Sequence, residues 1–352
     1  MQQHMKEKAV PGACATLVLG ARGSRLAQAQ MREVTERLRQ ARPGLGVAQR
    51  SVRTTGDRIR HVPLPEIGQK GLFTLELEQA LRRGDIDAAV HSYKDLALEQ
   101  DDDLPIVAVL PRAYCADVLV AVGGDSARQD DKRGPLSAIP RGGCVGTSSV
   151  RRKALLLHAR PDLRVIDVRG NVDTRLARLR DPSGPYDALV LAQAGLRRLL
   201  KTPHSPPERV AQTEQWVQRS LFHVLNPATW PPAPAQGALA IQCRAEQKWL
   251  ELFAPLDHVP TRLETTAERA LLQGLGGGCS LPIAAHARRR DGCLTLIAAV
   301  LAADGTKRVD ARGQCVCPAD SIESGERAAR DLGEKLAEQA LAMGGAALLQ
   351  GL

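Results

Sequence analysis

Short apolar runs alternate with amphipathic stretches along the first two-thirds of the chain. Each run has the length of one buried strand, and apolar residues recur at helical spacing in the stretch that follows. The first strand is predicted over 15–19, with Ser24 as the N-cap of the next helix. The other strands of this region are predicted at 47–52, 88–91, 106–110, 117–122, 186–191 and 238–243. The alternation favours α/β domains with largely parallel sheets.

Two consecutive strands, ending near Val145 and Val168, run into turns rich in hydroxyl groups, glycine and arginine. A helical pattern follows each turn, an arrangement that points free backbone N–H groups at an anion. Arginines beside those N–H groups add fork-shaped donors that suit carboxylates or phosphates. Two such units suggest a ligand with several negative groups, and a solvated basic helix face is the alternative.

The last third of the chain changes character after a proline-rich segment, 201–235, that is predicted to cross between regions. Residues 265–268 read Thr-Thr-Ala-Glu, the pattern of a capping box, which predicts a helix starting there. Three strand-like runs follow, joined at the Asp-Gly pairs 291–292 and 304–305, which are typical of hairpin turns. With a closing helix over about 324–341, this region is predicted to be a small α+β domain with an antiparallel sheet.

Composition narrows the class of protein. Hydrophobic residues make up 43% of the chain and aromatic residues only 3%, so the cores must be mostly aliphatic. The net charge of +9 favours acidic partners, but without zinc-finger spacing or aromatic stacking motifs we expect a small polyanion rather than nucleic acid. The eight cysteines show no CxxC spacing, so we expect free thiols and no metal. The polar N-terminus and the lack of any membrane-length apolar run predict a soluble, cytoplasmic protein.

Residues that could take part in catalysis or bind an anion follow two of the predicted strands. The segment 91–95 follows a predicted strand at the edge where open α/β sheets bind ligands. Asp95 would be a carboxylate among cations, able to protonate a leaving group or to stabilise a developing cation; an exposed Lys94–Asp95 ion pair is the alternative. Arg22 and Ser24 form a further anion site, although no P-loop or GxGxxG pattern supports nucleotide binding.

A run of three glycines, 276–278, precedes Cys279. Glycines let the backbone approach a ligand closely, and an accessible thiol on such a loop could be a covalent anchor. The alternative is a glycine helix stop followed by a buried structural cysteine.

Taken in order, these segments resemble the porphobilinogen deaminase family. The resemblance runs from Leu17 to the C-terminal helix, and the ordered set of blocks is far more specific than any one of them. The matching blocks are 21–27, 68–73, 89–95, 146–152, 169–175, 194–198, 236–238 and 277–279.

The resemblance implies two α/β domains, similar to periplasmic binding proteins, that face a cleft, and a small C-terminal α+β domain with a three-stranded antiparallel sheet. Domain 1 is expected at 14–112 plus about 236–256, domain 2 at 116–230 and domain 3 at 258–352. The family resemblance also suggests a monomer.

The function implied is that of an enzyme that condenses four porphobilinogen molecules head to tail into hydroxymethylbilane and releases ammonia each time. A dipyrromethane cofactor, assembled from substrate, would be attached covalently to Cys279. Asp95 matches the catalytic aspartate, whose carboxylate can assist ammonia loss, balance the azafulvenium cation and accept the α-proton after coupling. A non-catalytic tetrapyrrole- or anion-binding paralogue is the alternative, but it predicts loss of Asp95 or Cys279, and both are present.

Each pyrrole ring carries an acetate and a propionate, which explains the many arginines. By the resemblance, the residues that bind the cofactor are Cys279, Ser92, Lys94, Thr147, Ser148, Ser149, Arg151, Arg152 and Gly195. Those that bind the substrate or the growing chain are Arg22, Ser24, Gln30, Arg169, Arg175 and Arg198.

Several positions depart from the usual pattern of the family. Glu66 stands where a lysine is common, and Leu96-Ala97 follow the aspartate where valine and proline are usual. Gly274 and Gly276 occupy a stretch that often contains arginine and glutamate. We expect these changes to affect the rate and the dynamics of loops rather than the class of reaction.

Overall fold

The computed structural model describes residues 16–52, 74–122, 134–200, 221–278, 280–317 and 321–350. Cys279, Glu66 and the block 68–73 lie outside the described residues, so the expectations placed on them stay predictions.

The secondary structure of the described residues is as follows. The strands are β1 (Leu17–Arg22), β2 (Val47–Val52), β3 (Ala88–Ser92), β4 (Ile106–Val109), β5 (Asp117–Ala121), β6 (Cys144–Gly146), β7 (Arg164–Ile166), β8 (Ala188–Ala192), β9 (Leu221–Val224), β10 (Leu239–Cys243), β11 (Ile283–Arg290), β12 (Cys293–Leu301) and β13 (Arg308–Val316). The helices are α1 (Arg25–Ala41), α2 (Leu75–Arg82), α3 (Val150–Ala159), α4 (Val172–Arg180), α5 (Gln193–Leu200), α6 (Gln247–Phe253), α7 (Val259–Gly274), α8 (Ile322–Ala340) and α9 (Ala346–Leu349).

Two five-stranded sheets share one topology. The strand orders are β2-β1-β3-β10-β4 in the first sheet and β7-β6-β8-β5-β9 in the second. In each sheet the first three strands are parallel, the fourth is antiparallel to them, and the outer fifth strand is antiparallel to the fourth. In each sheet four strands therefore run in the same direction and one, β10 or β5, runs against them, as the prediction of largely parallel sheets requires. Together with the third sheet, β11-β12-β13, which is antiparallel, they confirm the predicted fold class.

The antiparallel strands β5 and β10 occupy equivalent places in the two five-stranded sheets, each beside a chain crossing. The chain leaves the first sheet after β4, enters the second at β5, and returns from β9 to β10. The crossing segments touch where the Ala113 N–H donates to the Gly237 carbonyl at 3.3 Å. Gly237 has φ +91°, and a Cβ there would lie 2.5 Å from the Ala113 oxygen, so the close approach of the crossings requires glycine.

The third sheet packs on α7 and α8 through an aliphatic core that includes Leu263, Leu271, Leu296 and Leu336. Asp291 and Gly292, with φ of 50° and 77°, form the two-residue turn between β11 and β12, as an Asp-Gly pair predicts. The predicted hairpin between β12 and β13 is likewise present.

Two local predictions were wrong. Helix α7 starts at Val259, with the His258 side chain accepting a hydrogen bond from the Thr261 N–H, so Thr265 lies within the helix rather than at its N-cap. Strand β9, at the end of the predicted crossing segment, had not been predicted, because its apolar pattern is only four residues long. The first error comes from a stronger local cap at His258 upstream of Thr265, and the second from the pairing of β9 with the distant strand β5.

Candidate active site

The carboxyl ends of β1 and β3 border a cavity of about 70 Å³. Five predicted site residues line it, namely Arg22, Ser24, Gln30, Ser92 and Asp95. The buried Gln30 donates through Nε2 to Ser92 Oγ at 2.7 Å, and Ser24 Oγ caps α1 by accepting from the Ala27 N–H at 3.2 Å. The structure therefore brings the α1 N-terminus and the β3 end to one anion-binding edge.

His91 lines the same cavity, although the sequence had marked it only as part of a motif. Burial lowers its pKa to about 4, while Gln242 opposes that shift and the charge of Arg22 adds to it. The imidazole is consequently neutral near pH 7, so it shapes the cavity without adding a cation.

Lys94 and Asp95 lie on a single 3₁₀ turn after β3. The Asp95 side chain is exposed, and Lys94 is half-buried. Burial lowers the pKa of Lys94, and of the nearby charges Asp95 raises it while Arg152 lowers it. The cations that follow β6 thus act on the loop that carries Asp95.

Arg175, on α4, faces the same region. Burial lowers the pKa of Arg175 to about 10, with Arg152 and Arg178 adding to this shift and Asp95 opposing it. Its Nε donates to the Gly170 carbonyl at 2.8 Å, which fixes the guanidinium beside the turn that precedes α4. Asp95 is therefore in the electrostatic range of a lysine on its own turn and of an arginine from the second sheet.

The turn after β6 has the predicted strand–turn–helix geometry. Ser149 is the N-cap of α3, its Oγ accepting from the Arg152 N–H at 3.5 Å. Ser148 Oγ donates to the Val168 carbonyl at 2.8 Å, and Thr147 Oγ1 accepts from the Ser149 N–H at 3.2 Å. The hydroxyl groups shape the turn, while the start of α3 offers its N–H groups to an anion.

Arg151 and Arg152 are buried, and both bind one carboxylate that the sequence analysis did not single out. Arg151 Nη2 lies 2.8 Å from Asp117 Oδ2, and Arg152 Nη2 lies 2.7 Å from Asp117 Oδ1. Trp230 and Gln236 donate to the same carboxylate at 3.2 and 2.9 Å. In this structure the two arginines are therefore held by Asp117.

Asp117 is fully buried at the start of β5, and its pKa is well below the usual range because the two arginines and the amide of Gln236 outweigh the cost of burial. The signal in the sequence was a lone acidic residue beside a buried apolar run, Val118–Ala121. A charge at such a position needs a buried partner of opposite sign.

Replacing Asp117 with asparagine should destabilise the protein by about 3 to 5 kcal/mol, because two buried guanidinium groups lose their counter-charge. The free energy of unfolding, measured in urea, checks this. Asp310→Asn is the matched control, since Asp310 is 59% exposed where it pairs with Arg308, and its loss should cost less than about 1 kcal/mol. Equal losses in the two variants would contradict the prediction.

The remaining predicted residues lie on the second sheet's side. Arg198 Nε donates to Glu33 Oε2 at 2.8 Å and its Nη2 to the Gly237 carbonyl at 3.3 Å, so it joins α5 to α1. A Cβ on Gly195 would be 3.3 Å from Leu26 Cδ2, so the same two helices also approach closely there. Arg169 is half-buried in the turn before α4.

Among the described residues, His, Cys, Asp and Glu form no cluster that could hold a metal ion. Within the same ranges, the helices include none that is both long and apolar enough to span a membrane.

Two family models and several curated relatives that match this chain carry the same family name. The model for the dipyrromethane cofactor binding domain of porphobilinogen deaminase matches residues 17–251, and that for the C-terminal domain matches 262–342. A porphobilinogen deaminase of Desulforudis audaxviator (strain MP104C) is 46% identical over 95% of this chain and 96% of its own length. One of Roseiflexus sp. (strain RS-1) is 40% identical over 96% and 99%. Among solved structures, a point mutant of full-length BenM aligns over 70% of this chain and 67% of its own, at 15% identity and a TM-score of 0.39.

Proposed function

This chain belongs to the porphobilinogen deaminase family, and from that premise we propose that it condenses four porphobilinogen molecules head to tail into hydroxymethylbilane, releasing ammonia at each step. The observation that carries the proposal is the placement of Asp95, an exposed carboxylate on the rim of a cavity and within the electrostatic range of Lys94 and Arg175. A reaction that develops positive charge on substrates bearing carboxylates needs this combination.

The residues present suit a dipyrromethane cofactor, which carries two acetates and two propionates. Lys94 supplies a cation that burial has already partly desolvated, and the capped start of α3 supplies N–H groups. The bound cofactor would supply the nucleophilic ring carbon to which the next pyrrole is joined. We assign its binding to Ser92, Lys94, Thr147, Ser148, Ser149, Arg151, Arg152 and Gly195, and its covalent attachment to Cys279.

Arg22, Ser24 and Gln30 would hold the carboxylates of the incoming porphobilinogen at the cavity, since they line it together with Asp95. We assign Arg169, Arg175 and Arg198 to the substrate and the growing chain. For Arg198, this role requires its pair with Glu33 to open or to be shared.

The Asp95 carboxylate would act at the reacting atoms. Its oxygen can direct a proton to the departing amino group, balance the positive charge that spreads over the pyrrole, and then take the α-proton once the rings are joined. His91 is neutral near pH 7 and adds no positive charge to the site. The positive charge near Asp95 therefore comes from arginine and lysine, whose ordinary pKa values lie far above pH 7.

We further propose that the protein is a monomer in the cytoplasm, with domain 1 at 14–112 plus about 236–256, domain 2 at 116–230 and domain 3 at 258–352. The three separate sheets are consistent with this division.

Incubation of the purified protein with porphobilinogen tests the proposal. We expect ammonia and a linear tetrapyrrole in a ratio of four to one. A protein that binds pyrrole carboxylates but consumes no porphobilinogen would instead support the non-catalytic alternative.

Replacing Arg169 with alanine should lower kcat/KM for porphobilinogen by about tenfold or more, the typical effect of losing a charge-assisted hydrogen bond to a carboxylate. Steady-state kinetics check this, with Arg164→Ala as the control, because Arg164 is an exposed arginine on β7 nearby. Unchanged kinetics in the Arg169 variant would place this residue outside the site.

A further inference from the structure

The loop that carries Asp95 is bound by an arginine from the C-terminal part of the chain. Arg269, on α7, donates through Nη1 to the Leu96 carbonyl at 3.3 Å and through Nη2 to the carbonyls of Ala97 and Leu98, the latter at 3.2 Å. Its guanidinium carbon also lies 4.6 Å from the centroid of the Tyr93 ring. One side chain therefore holds the loop on both sides of Asp95.

Other hydrogen bonds also hold this loop. The Tyr93 N–H donates to the Ala238 carbonyl at 3.1 Å, and the Leu96 N–H to the Tyr93 carbonyl at 3.3 Å. Gln100 also donates to the Ala97 carbonyl, at 2.6 Å. The segment after Asp95 contains Leu96 and Ala97 and no proline, so its backbone is not stiffened locally. A long-range contact is therefore needed to restrict its conformation.

Helix α7 is a firm base for such a clamp. Glu268, next to Arg269, accepts two hydrogen bonds from Arg112, at 2.8 and 2.9 Å, and one each from the amides of Ala235 and Ala287, at 2.6 and 2.7 Å. This fully buried carboxylate ties α7 to both chain crossings and to the third sheet. Any displacement of α7 relative to the two chain crossings would have to break this network.

The far end of α7 approaches the same loop. A Cβ on Gly277 would lie 3.0 Å from Leu98 Cδ1, so the glycine run that leads to Cys279 packs against the residue whose carbonyl Arg269 binds.

We propose that Arg269 is a positioning residue that holds Asp95 in its reactive place relative to the glycine run before Cys279. The inference rests on the role proposed above for Asp95. Arg269 acts through the backbone of 96–98 and touches no reacting atom. Its loss should therefore lower kcat more than it raises KM, since the cavity residues that bind substrate stay in place.

The test compares Arg269→Met with Arg262→Met, a substitution on the same helix of an arginine that binds Asp257 at 2.8 Å and Glu326 at 3.5 Å. We expect both variants to keep the bound cofactor, seen by intact mass, and to lose some thermal stability. Arg269→Met should lower kcat by about tenfold or more, in line with the cost of misplacing a catalytic group, with KM within about twofold. A kcat equal to that of Arg262→Met would overturn the inference.

Ala97→Pro provides a second test, in which the same substitution is compared in the wild-type protein and in the Arg269→Met protein. Leu96 has φ −79° and ψ 143°, the conformation that a residue before proline adopts, so proline should stiffen the loop. We expect it to raise kcat severalfold in the Arg269→Met protein and to change wild-type kcat little. The same change in both backgrounds would show that Arg269 does not act by ordering the loop.

Asp95→Asn, assayed alongside, separates the two proposals. Activity in that variant would remove the role of Asp95 itself. An inactive Asp95→Asn protein together with unimpaired Arg269→Met would remove only the role of Arg269.

Discussion

Asp95→Asn is expected to fold normally and to retain its dipyrromethane cofactor. Its kcat should be about 10²- to 10⁴-fold lower than that of the wild type, the rate factor that one general acid–base group supplies. The physical reason is that asparagine keeps the shape of the side chain but has no negative charge and cannot take a proton. The fold should tolerate the change because the Asp95 side chain is exposed. Initial rates of ammonia release from porphobilinogen give kcat, and intact mass reports the cofactor.

Asp102→Asn is a suitable control, since Asp102 is an exposed aspartate seven residues further along. It should retain wild-type kinetics. If Asp95→Asn were as active as this control, another group would have to manage the proton and the developing charge. Lys94 cannot be that group while protonated, because it would add a second positive charge to the cation.

Cys279→Ala should yield a protein whose mass equals that of the bare polypeptide and whose turnover is at the background of the assay. The wild-type protein should be heavier by two deaminated porphobilinogen units. The reason is that a thioether keeps the first two rings in place while the chain is extended, and non-covalent contacts to four carboxylates exchange with solvent. Intact-mass measurement of both purified proteins tests this directly.

Cys293→Ala is the matched control, since Cys293 is a half-buried free cysteine on β12, in the same part of the chain. This variant should retain the added mass and the activity. A Cys279→Ala protein that still carries two pyrrole rings through denaturation would move the attachment to another residue. A wild-type protein without added mass should acquire it on incubation with porphobilinogen.

The features that the sequence predicted well are those decided by neighbouring residues. The N-cap at Ser24, the turn at Asp291-Gly292 and the hydroxyl-rich turn after β6 each depend on side chains within a few positions of the backbone groups they satisfy. The cavity at Arg22, Ser24 and Asp95 could likewise be anticipated, because the carboxyl ends of parallel strands meet at one edge.

The features that it missed depend on residues far apart in the chain. The pairing of Arg151 and Arg152 with Asp117 joins helix α3 to strand β5 across more than thirty positions of the chain, so no local pattern predicts it. Glu268 had the spacing of a capping box, yet its carboxylate binds Arg112 and two distant amides. The single antiparallel strand in each five-stranded sheet, β5 or β10, was not predicted either, because its insertion depends on the path of the whole chain.

The insertion of β10 has a consequence for the order in which the molecule can fold during synthesis. Among the strands that the structure describes, β4 pairs with β10 alone, and β10 lies between it and β3. The first sheet therefore stays incomplete until residues 239–243 have left the ribosome. The second sheet needs only residues up to β9 and can close earlier. The N-terminal half is therefore the later half to mature, and a nascent chain stalled before β10 would display the open edge of β3 and the unpaired β4 to chaperones.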